Sequence, residues 1–233
     1  MFNIAIDGPA GAGKSTAAKL AAKELGFIYV DTGALYRTIG VSVLRKGLDT
    51  SLKENVLPRL DEIEVTLGFS DGEQHVYLNG EDVSKEIRFP EASMAASNVS
   101  AMPEVRAFLT DLQRSLAENN DCIMDGRDIG TVILPDAQLK IFLTASPEVR
   151  ASRRFAELEA KGTPVDYNAL LDEIKLRDYQ DSHRAVSPLK PAEGGVILDT
   201  SFMTLDEVVN EIVRLAKDNA EFVIRNSEEE NEH

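Results

Sequence analysis

The sequence predicts an α/β fold in which a parallel sheet of five strands is covered by helices on both faces. Three observations carry this. Five short runs are apolar throughout rather than alternating, as in strands buried on both sides. Helical periodicity fills the intervals between them. The first run ends in a glycine-rich turn that opens directly into a helix, a junction suited to ligands in such sheets.

The strands are expected at Phe2 to Ile6, Phe27 to Val30, Cys122 to Met124, Lys140 to Leu143 and Val196 to Leu198. A helix follows the glycine-rich turn over Ser15 to Leu25. The clearest amphipathic helix after Pro103 repeats Val105, Phe108, Leu109, Leu112 and Leu116 on one face. Thr204 and Glu207 form a capping box ahead of Val208, Val209, Ile212, Val213 and Ala216. Residues 62–86 break the rhythm: Glu64 to Phe69 and His75 to Leu78 alternate about a Ser70-Asp71-Gly72-Glu73 turn, which predicts a small antiparallel insert. Residues 227–233 carry four carboxylates and no aliphatic side chain and are expected to fray.

Charge and composition exclude several classes. The 233 residues hold 25 Lys and Arg against 40 Asp and Glu, a net charge of -15 that repels nucleic acid and anionic lipid alike. No run reaches the ~18 apolar residues of a membrane span, and the N-terminus lacks the features of a secretory signal, so a cytoplasmic chain is expected. Cys122 is the single cysteine and sits in an apolar run, which predicts a core residue and excludes an intramolecular disulfide. His75, His183 and His233 are scattered, with no neighbour at metal-ligand spacing.

Gly8-Pro9-Ala10-Gly11-Ala12-Gly13-Lys14-Ser15 matches G-x-x-x-x-G-K-[ST] between a strand and a helix. Glycines let successive N–H groups turn toward phosphate oxygens, and the helix N-terminus adds its positive end. Lys14 is expected on the β- and γ-phosphates and the Ser15 hydroxyl on Mg²⁺, with Thr16 completing the nucleotide-binding stretch. The motif and its context predict a P-loop NTPase-type three-layer fold. No Asn-Lys-x-Asp element for guanine is present.

Five arginines suit a second, anionic substrate: Arg37 after the second strand, Arg106 on the amphipathic helix, Arg127 after the third strand, then Arg177 and Arg184. Arg177, Asp181 and Arg184 are spaced i, i+4, i+7, so one helix is expected to present all three. Two phosphate groups brought together repel, and guanidinium forks relieve that repulsion. Taken singly, each arginine is equally well read as a solvated surface charge. Arg150, Arg153 and Arg154 form a further basic cluster after the expected helix cap Ser146-Pro147, suited to a flap closing over ATP; pairing with Glu157 and Glu159 is the plainer reading. Asp7 and Asp125 end apolar strands, where water positioning and helix capping fit equally; neither is assigned a catalytic role.

Four stretches together closely resemble the bacterial cytidylate kinases, nucleoside monophosphate kinases within the P-loop fold. They are Ile6 to Ser15, Asp31-Thr32-Gly33-Ala34-Leu35-Tyr36-Arg37, Asp125-Gly126-Arg127-Asp128-Ile129-Gly130-Thr131-Val132 and Arg177-Asp178-Tyr179-Gln180-Asp181-Ser182-His183-Arg184. The resemblance implies reversible transfer of the γ-phosphate of ATP, with Mg²⁺, to CMP or dCMP and no covalent enzyme intermediate. It implies one kinase domain over residues 1–226, with a monophosphate-binding lobe at about 37–105 carrying the insert and a helical lid at about 151–178. Carried over by residue, Thr32, Ser97, Arg106 and Asp128 face the acceptor nucleotide, the last three nearest cytosine. Arg37, Arg127 and Arg184 hold its phosphate, Arg177 and Asp181 reach the sugar and the transferring group, and Arg153 joins the ATP site. Lys14, Arg127, Arg177 and Arg184 form the catalytic set.

Cytosine offers acceptors at O2 and N3 beside a 4-amino donor, so Arg106 can donate and Asp128 accept. Uracil sets a carbonyl against that carboxylate, at a cost of about 1–3 kcal/mol and roughly ten- to hundredfold in discrimination. Ser15 stands where some relatives carry Gly, so direct hydroxyl coordination of Mg²⁺ is helpful rather than required. Thr32 replaces a common Ser and keeps the hydroxyl. An adenylate kinase reads Asp-Gly-Phe-Pro-Arg where this chain reads Asp125-Gly126-Arg127-Asp128. Alternatives are a P-loop kinase for UMP or shikimate, a non-catalytic nucleotide sensor, and an interaction protein using its acidic surface. A monomer is expected.

Overall fold

The computed structural model describes residues 1–70 and 72–219. Asp71 of the predicted turn, the acidic stretch at 227–233 and the boundary at 226 lie outside the described residues. Five strands form one sheet in the order β2-β6-β1-β7-β8: β1 (Asn3–Asp7), β2 (Ile28–Asp31), β6 (Cys122–Gly126), β7 (Leu139–Thr144) and β8 (Val196–Asp199). Each lies within two residues of its expected span, and β1, β7 and β8 pair in parallel. Three further strands, β3 (Val65–Ser70), β4 (Glu73–Leu78) and β5 (Glu81–Asp82), make the antiparallel insert, with Val65 opposite Leu78 and Ser70 opposite Glu73. The fold is α/β, with a five-stranded parallel sheet.

The strands expected to be buried on both faces divide by position. β1 and β6 are, but β8 is the last strand of the sheet, and Val196 and Ile197 are exposed. A short apolar run does not distinguish a central strand from an edge.

Two compact units divide the chain: Ile28–Cys122 together with Met1, and Phe2–Phe27 together with the chain from Ile123 onward. In the first, α2 (Thr32–Leu44), α3 (Lys53–Leu60), α4 (Pro90–Ser100) and α5 (Pro103–Asn119) close with the insert over Leu35, Ile39, Val56, Val76, Val99 and Leu109. Gly40 lets α2 meet α4 closely, since a Cβ there would stand 2.6 Å from the Ala95 Cβ. The insert is tied to the end of β2 by Gln74, whose amide accepts from Asp31 N at 2.8 Å and donates to Asp31 O at 3.3 Å.

In the second unit, α1 (Lys14–Leu25) buries four alanines, Ala17, Ala18, Ala21 and Ala22, and packs on α8 (Leu205–Lys217). The predicted capping box opens α8: Thr204 Oγ1 accepts from Glu207 N, and Glu207 accepts from Thr204 N. Two more helices, α6 (Pro147–Ala160) and α7 (Tyr167–His183), enclose a small cluster of Ala151, Leu170 and Ile174. Ser146 caps α6 as its sequence predicts, accepting from Val149 N at 3.2 Å.

The expectation that one helix presents Arg177, Asp181 and Arg184 is corrected. α7 ends at His183, and Arg184 is extended, with φ -62° and ψ 143°. The Ser182 hydroxyl donates to Asp178 O at 2.7 Å, and the His183 ring approaches Tyr179 O at 2.9 Å. Both carbonyls lie inside the last turn, whereas Asp181 O, which a continuing helix would give to the N–H of residue 185, accepts from Leu189 N at 2.8 Å. Among the described residues no helix is long and apolar enough to cross a membrane.

Candidate active site

Residues 8–13 form the loop between β1 and α1, and three of its glycines take positive φ: Gly8 (152°), Gly11 (74°) and Gly13 (90°). At Gly8 the need for glycine is steric, because a Cβ would stand 1.9 Å from Leu143 O. Lys14 opens α1 with its side chain folded back, Nζ donating to Pro9 O at 2.8 Å in a buried position. Burial, followed by the nearby positive Arg127, pushes its pKa down to about 7. Ser15 and Thr16 are exposed.

Beside the loop, the Ser15 hydroxyl donates to Asp125 Oδ2 at 2.8 Å. A hydroxyl and a carboxylate are hard oxygen donors of the kind Mg²⁺ takes alongside water and phosphate. Among the described residues no group of three or more His, Cys, Asp or Glu could hold a metal ion. Asp7 takes the capping alternative: its carboxylate accepts from Ile129 N at 2.7 Å and Gly130 N at 2.8 Å. Burial pushes its pKa up to about 6 against the pull of those two bonds. Asp7 thereby anchors the turn that follows Arg127 and Asp128.

Arg127 Nε donates to Asp181 Oδ2 at 2.9 Å, joining the end of β6 to α7. Buried Asp128 lies 3.7 Å from Arg184 Nη2, and Arg177 is half-buried on α7. The arginine cluster of α6 separates into three environments. Arg150 is buried and bound to Ala10 O, Ala145 O and Asp178. Arg153 donates to Thr200 O at 2.7 Å, and Arg154 pairs with Glu157, the plainer reading of its charge. The surroundings of Arg150 replace the reading of that residue as a free flap charge, since its partners consume its donors.

The first unit holds the other expected residues. Asp31 caps α2 by accepting from Ala34 N and also takes Arg37 Nη2 at 2.6 Å. Thr32 is buried at the start of α2, and Ser97 is half-buried on α4. Arg106 is buried, its guanidinium 5.4 Å from the centre of the Tyr36 ring and Nη1 donating to Ser100 O at 3.1 Å. That stacking orients the fork and compensates its burial. Asp178 and Gln74 are polar residues whose placements sequence reasoning missed, and for Asp125 it left water positioning and helix capping open. For Asp125 the signal was an apolar strand ending in a carboxylate.

Residues 4–218 match the profile of the family described as cytidylate kinase. The chain belongs to the cytidylate kinase family. A cytidylate kinase from Caldicellulosiruptor saccharolyticus is 52% identical over 214 residues, covering 92% of this chain and 95% of the relative. A second cytidylate kinase, from Caldanaerobacter subterraneus subsp. tengcongensis, is 52% identical over 216 residues, covering 93% and 95%. Among solved structures, an uncharacterized protein from Eubacterium ventriosum shares the fold with a TM-score of 0.50 at 15% identity, covering 92% of this chain and 97% of that one. In this cytidylate kinase family member the phosphate loop, Asp125, Arg127 and Asp181 all belong to one compact unit, and Arg37 and Arg106 belong to the other.

Proposed function

We propose that the chain transfers the γ-phosphoryl group of ATP to CMP or dCMP, giving ADP and CDP or dCDP. The observation that carries this is the junction of the phosphate loop with the Asp125-Gly126-Arg127-Asp128 run through the Ser15–Asp125 hydrogen bond. Family membership and two relatives at 52% identity that are named cytidylate kinase support the same reading.

Loop N–H groups and Lys14 hold the β- and γ-phosphates, Lys14 exchanging Pro9 O for phosphate oxygen as it takes up a proton. Ser15 and Asp125 fit Mg²⁺, which when bound neutralises phosphate oxygens. The bond between the γ-phosphorus and the β–γ bridging oxygen breaks as a bond forms to a phosphate oxygen of the acceptor, and ADP leaves. Arg127, Arg177 and Arg184 stabilise the equatorial oxygens in transit, with Asp181 orienting Arg127. Arg37 holds the acceptor phosphate, with Thr32 beside it. Ser97, Arg106 and Asp128 select cytosine, Arg106 donating and Asp128 accepting. Arg153 and the segment 151–178 cover ATP and exclude water. The protein works as a monomer in the cytoplasm.

The test is ADP production from MgATP with CMP, dCMP, UMP, AMP, GMP and shikimate offered separately, alongside Arg127→Ala and Asp128→Ala. Turnover is expected mainly with CMP and dCMP and is lost in Arg127→Ala. Tight ATP binding with no turnover on any acceptor would move the assignment to a nucleotide sensor.

A further inference from the structure

Arg150 lies in the first turn of α6, yet none of its side-chain partners belongs to α6. Its side chain is 2% exposed. Nε donates to Ala145 O at 2.9 Å, just beyond β7. Nη1 donates to Ala10 O in the phosphate loop at 3.0 Å and to Asp178 Oδ1 on α7 at 2.9 Å, and Nη2 meets Asp178 Oδ2. One planar fork thus ties the phosphate loop, the end of a central strand and α7 together, its charge balanced by a single carboxylate.

We propose that Arg150 and Asp178 are positioning residues for phosphoryl transfer, a clasp that orients the Ala10–Gly11 peptide of the phosphate loop and sets α7 beside it. The proposal rests on the kinase reading above. A loop with glycines at 8, 11 and 13 is cheap to deform, so its shape needs an outside hold. The Lys14 bond to Pro9 O is one hold, but Lys14 must release it to reach a phosphate. The Arg150 bond to Ala10 O requires no such release. The Ala10–Gly11 peptide bond is trans, so a carbonyl fixed toward Arg150 turns the Gly11 N–H the opposite way. At Gly11 a Cβ would stand 3.6 Å from the Arg150 Cβ, which places the loop against the root of α6. On α7, Asp178 follows Arg177 and precedes by nearly one turn Asp181, the acceptor for Arg127. Holding Asp178 therefore sets the face that carries both groups.

Removing Asp178 strands the buried Arg150 charge and destabilises the protein whatever its role, whereas replacing both with apolar side chains relieves that charge. The deciding variant is therefore Arg150→Met/Asp178→Leu, made in the full chain beside each single change. Thermal melting, MgADP titration by calorimetry, and the KM values for ATP and CMP are read together. The double variant is expected to melt within a few degrees of the unaltered protein while its Kd for ADP and KM for ATP rise tenfold or more. Its KM for CMP should stay within threefold. Return of ADP affinity and KM for ATP to within twofold of the starting values, together with recovered melting, overturns the proposal and leaves the pair a fold-stabilising contact. If the double variant does not melt cooperatively, Arg150→Lys decides. Its three donors sit on one nitrogen and cannot span Ala145 O, Ala10 O and Asp178 as the planar fork does, so a tenfold weaker Kd for ADP in a protein of near-normal melting is expected, and an unchanged Kd overturns the clasp. ADP binding needs no acceptor. A chain that phosphorylates none of the acceptors fails the kinase reading, while the ADP titration still decides the clasp.

Discussion

Binding of MgADP is expected to draw close to one proton out of solution at pH 8, because of Lys14. With its pKa pushed down to about 7 by burial, about nine-tenths of the nucleotide-free molecules carry a neutral Lys14 at pH 8, and about half at pH 7. Diphosphate oxygens favour the ammonium form and restore the charge. Because the complex holds a proton that the free protein lacks, affinity strengthens as pH falls, by about fivefold from pH 8 to pH 7. Calorimetric titration in two buffers of different ionisation enthalpy reads this directly, as an uptake of about 0.9 proton at pH 8 and about 0.5 at pH 7. Lys14→Met should take up none. A zero uptake by the unaltered protein at pH 8 would refute the reasoning, since Lys14 would then be charged before nucleotide arrives. The same shift acts on stability. Unfolded Lys14 titrates near 10.5, so between pH 7 and 10.5 the unfolded chain binds the extra proton and the nucleotide-free protein gains stability as pH rises. At pH 8 the neutralisation costs about 3 kcal/mol, and the bond to Pro9 O returns about 1 kcal/mol. Lys14→Met is therefore expected to stabilise the nucleotide-free protein by about 2 kcal/mol in urea unfolding while abolishing turnover.

Two further predictions concern packing. Gly40→Ala sets a methyl 2.6 Å from the Ala95 Cβ; overpacking of about 1–3 kcal/mol outweighs about 1 kcal/mol of helix propensity, and adding Ala95→Gly should recover most of the loss in urea unfolding. Cys122 is fully buried, its thiol pushed up to about 12 by burial, so iodoacetamide followed by mass spectrometry should find it unmodified until urea unfolds the chain.

Features written by neighbouring residues were legible in the sequence. The phosphate loop, the Ser146 and Thr204 caps and the Val65–Leu78 hairpin each depend on chemistry within a few positions. Their backbone demands select residue types directly. The surroundings of Arg150 were not legible, because its partners Ala10 and Asp178 lie 140 and 28 positions away. Three arginines on one helix face looked alike, and only tertiary packing decides that Arg150 turns inward while Arg154 meets Glu157. The helical expectation for Arg184 fails because spacing does not mark where the chain leaves the helix, and Asp181 O is taken by Leu189 N, eight positions on. Asp7 and Asp125 ended similar apolar runs, and their different partners, two backbone amides and one hydroxyl, become visible only once the strands are placed.

The parallel pairing of β1 with β7, Ile4 opposite Leu139 and Asp7 opposite Phe142, sets an order of events during synthesis. The phosphate loop leaves the ribosome near the start of translation, but the two strands that flank its own strand, β6 and then β7, follow more than a hundred residues later. At about 5–20 residues per second that interval is on the order of ten seconds. Residues 28–122, with their own buried centre, are completed within it, before β7 exists. Nucleotide therefore has no finished cradle to bind in the growing chain. The 28–122 unit must resist aggregation by its own packing, and protection by ligand begins only after β7 has been made.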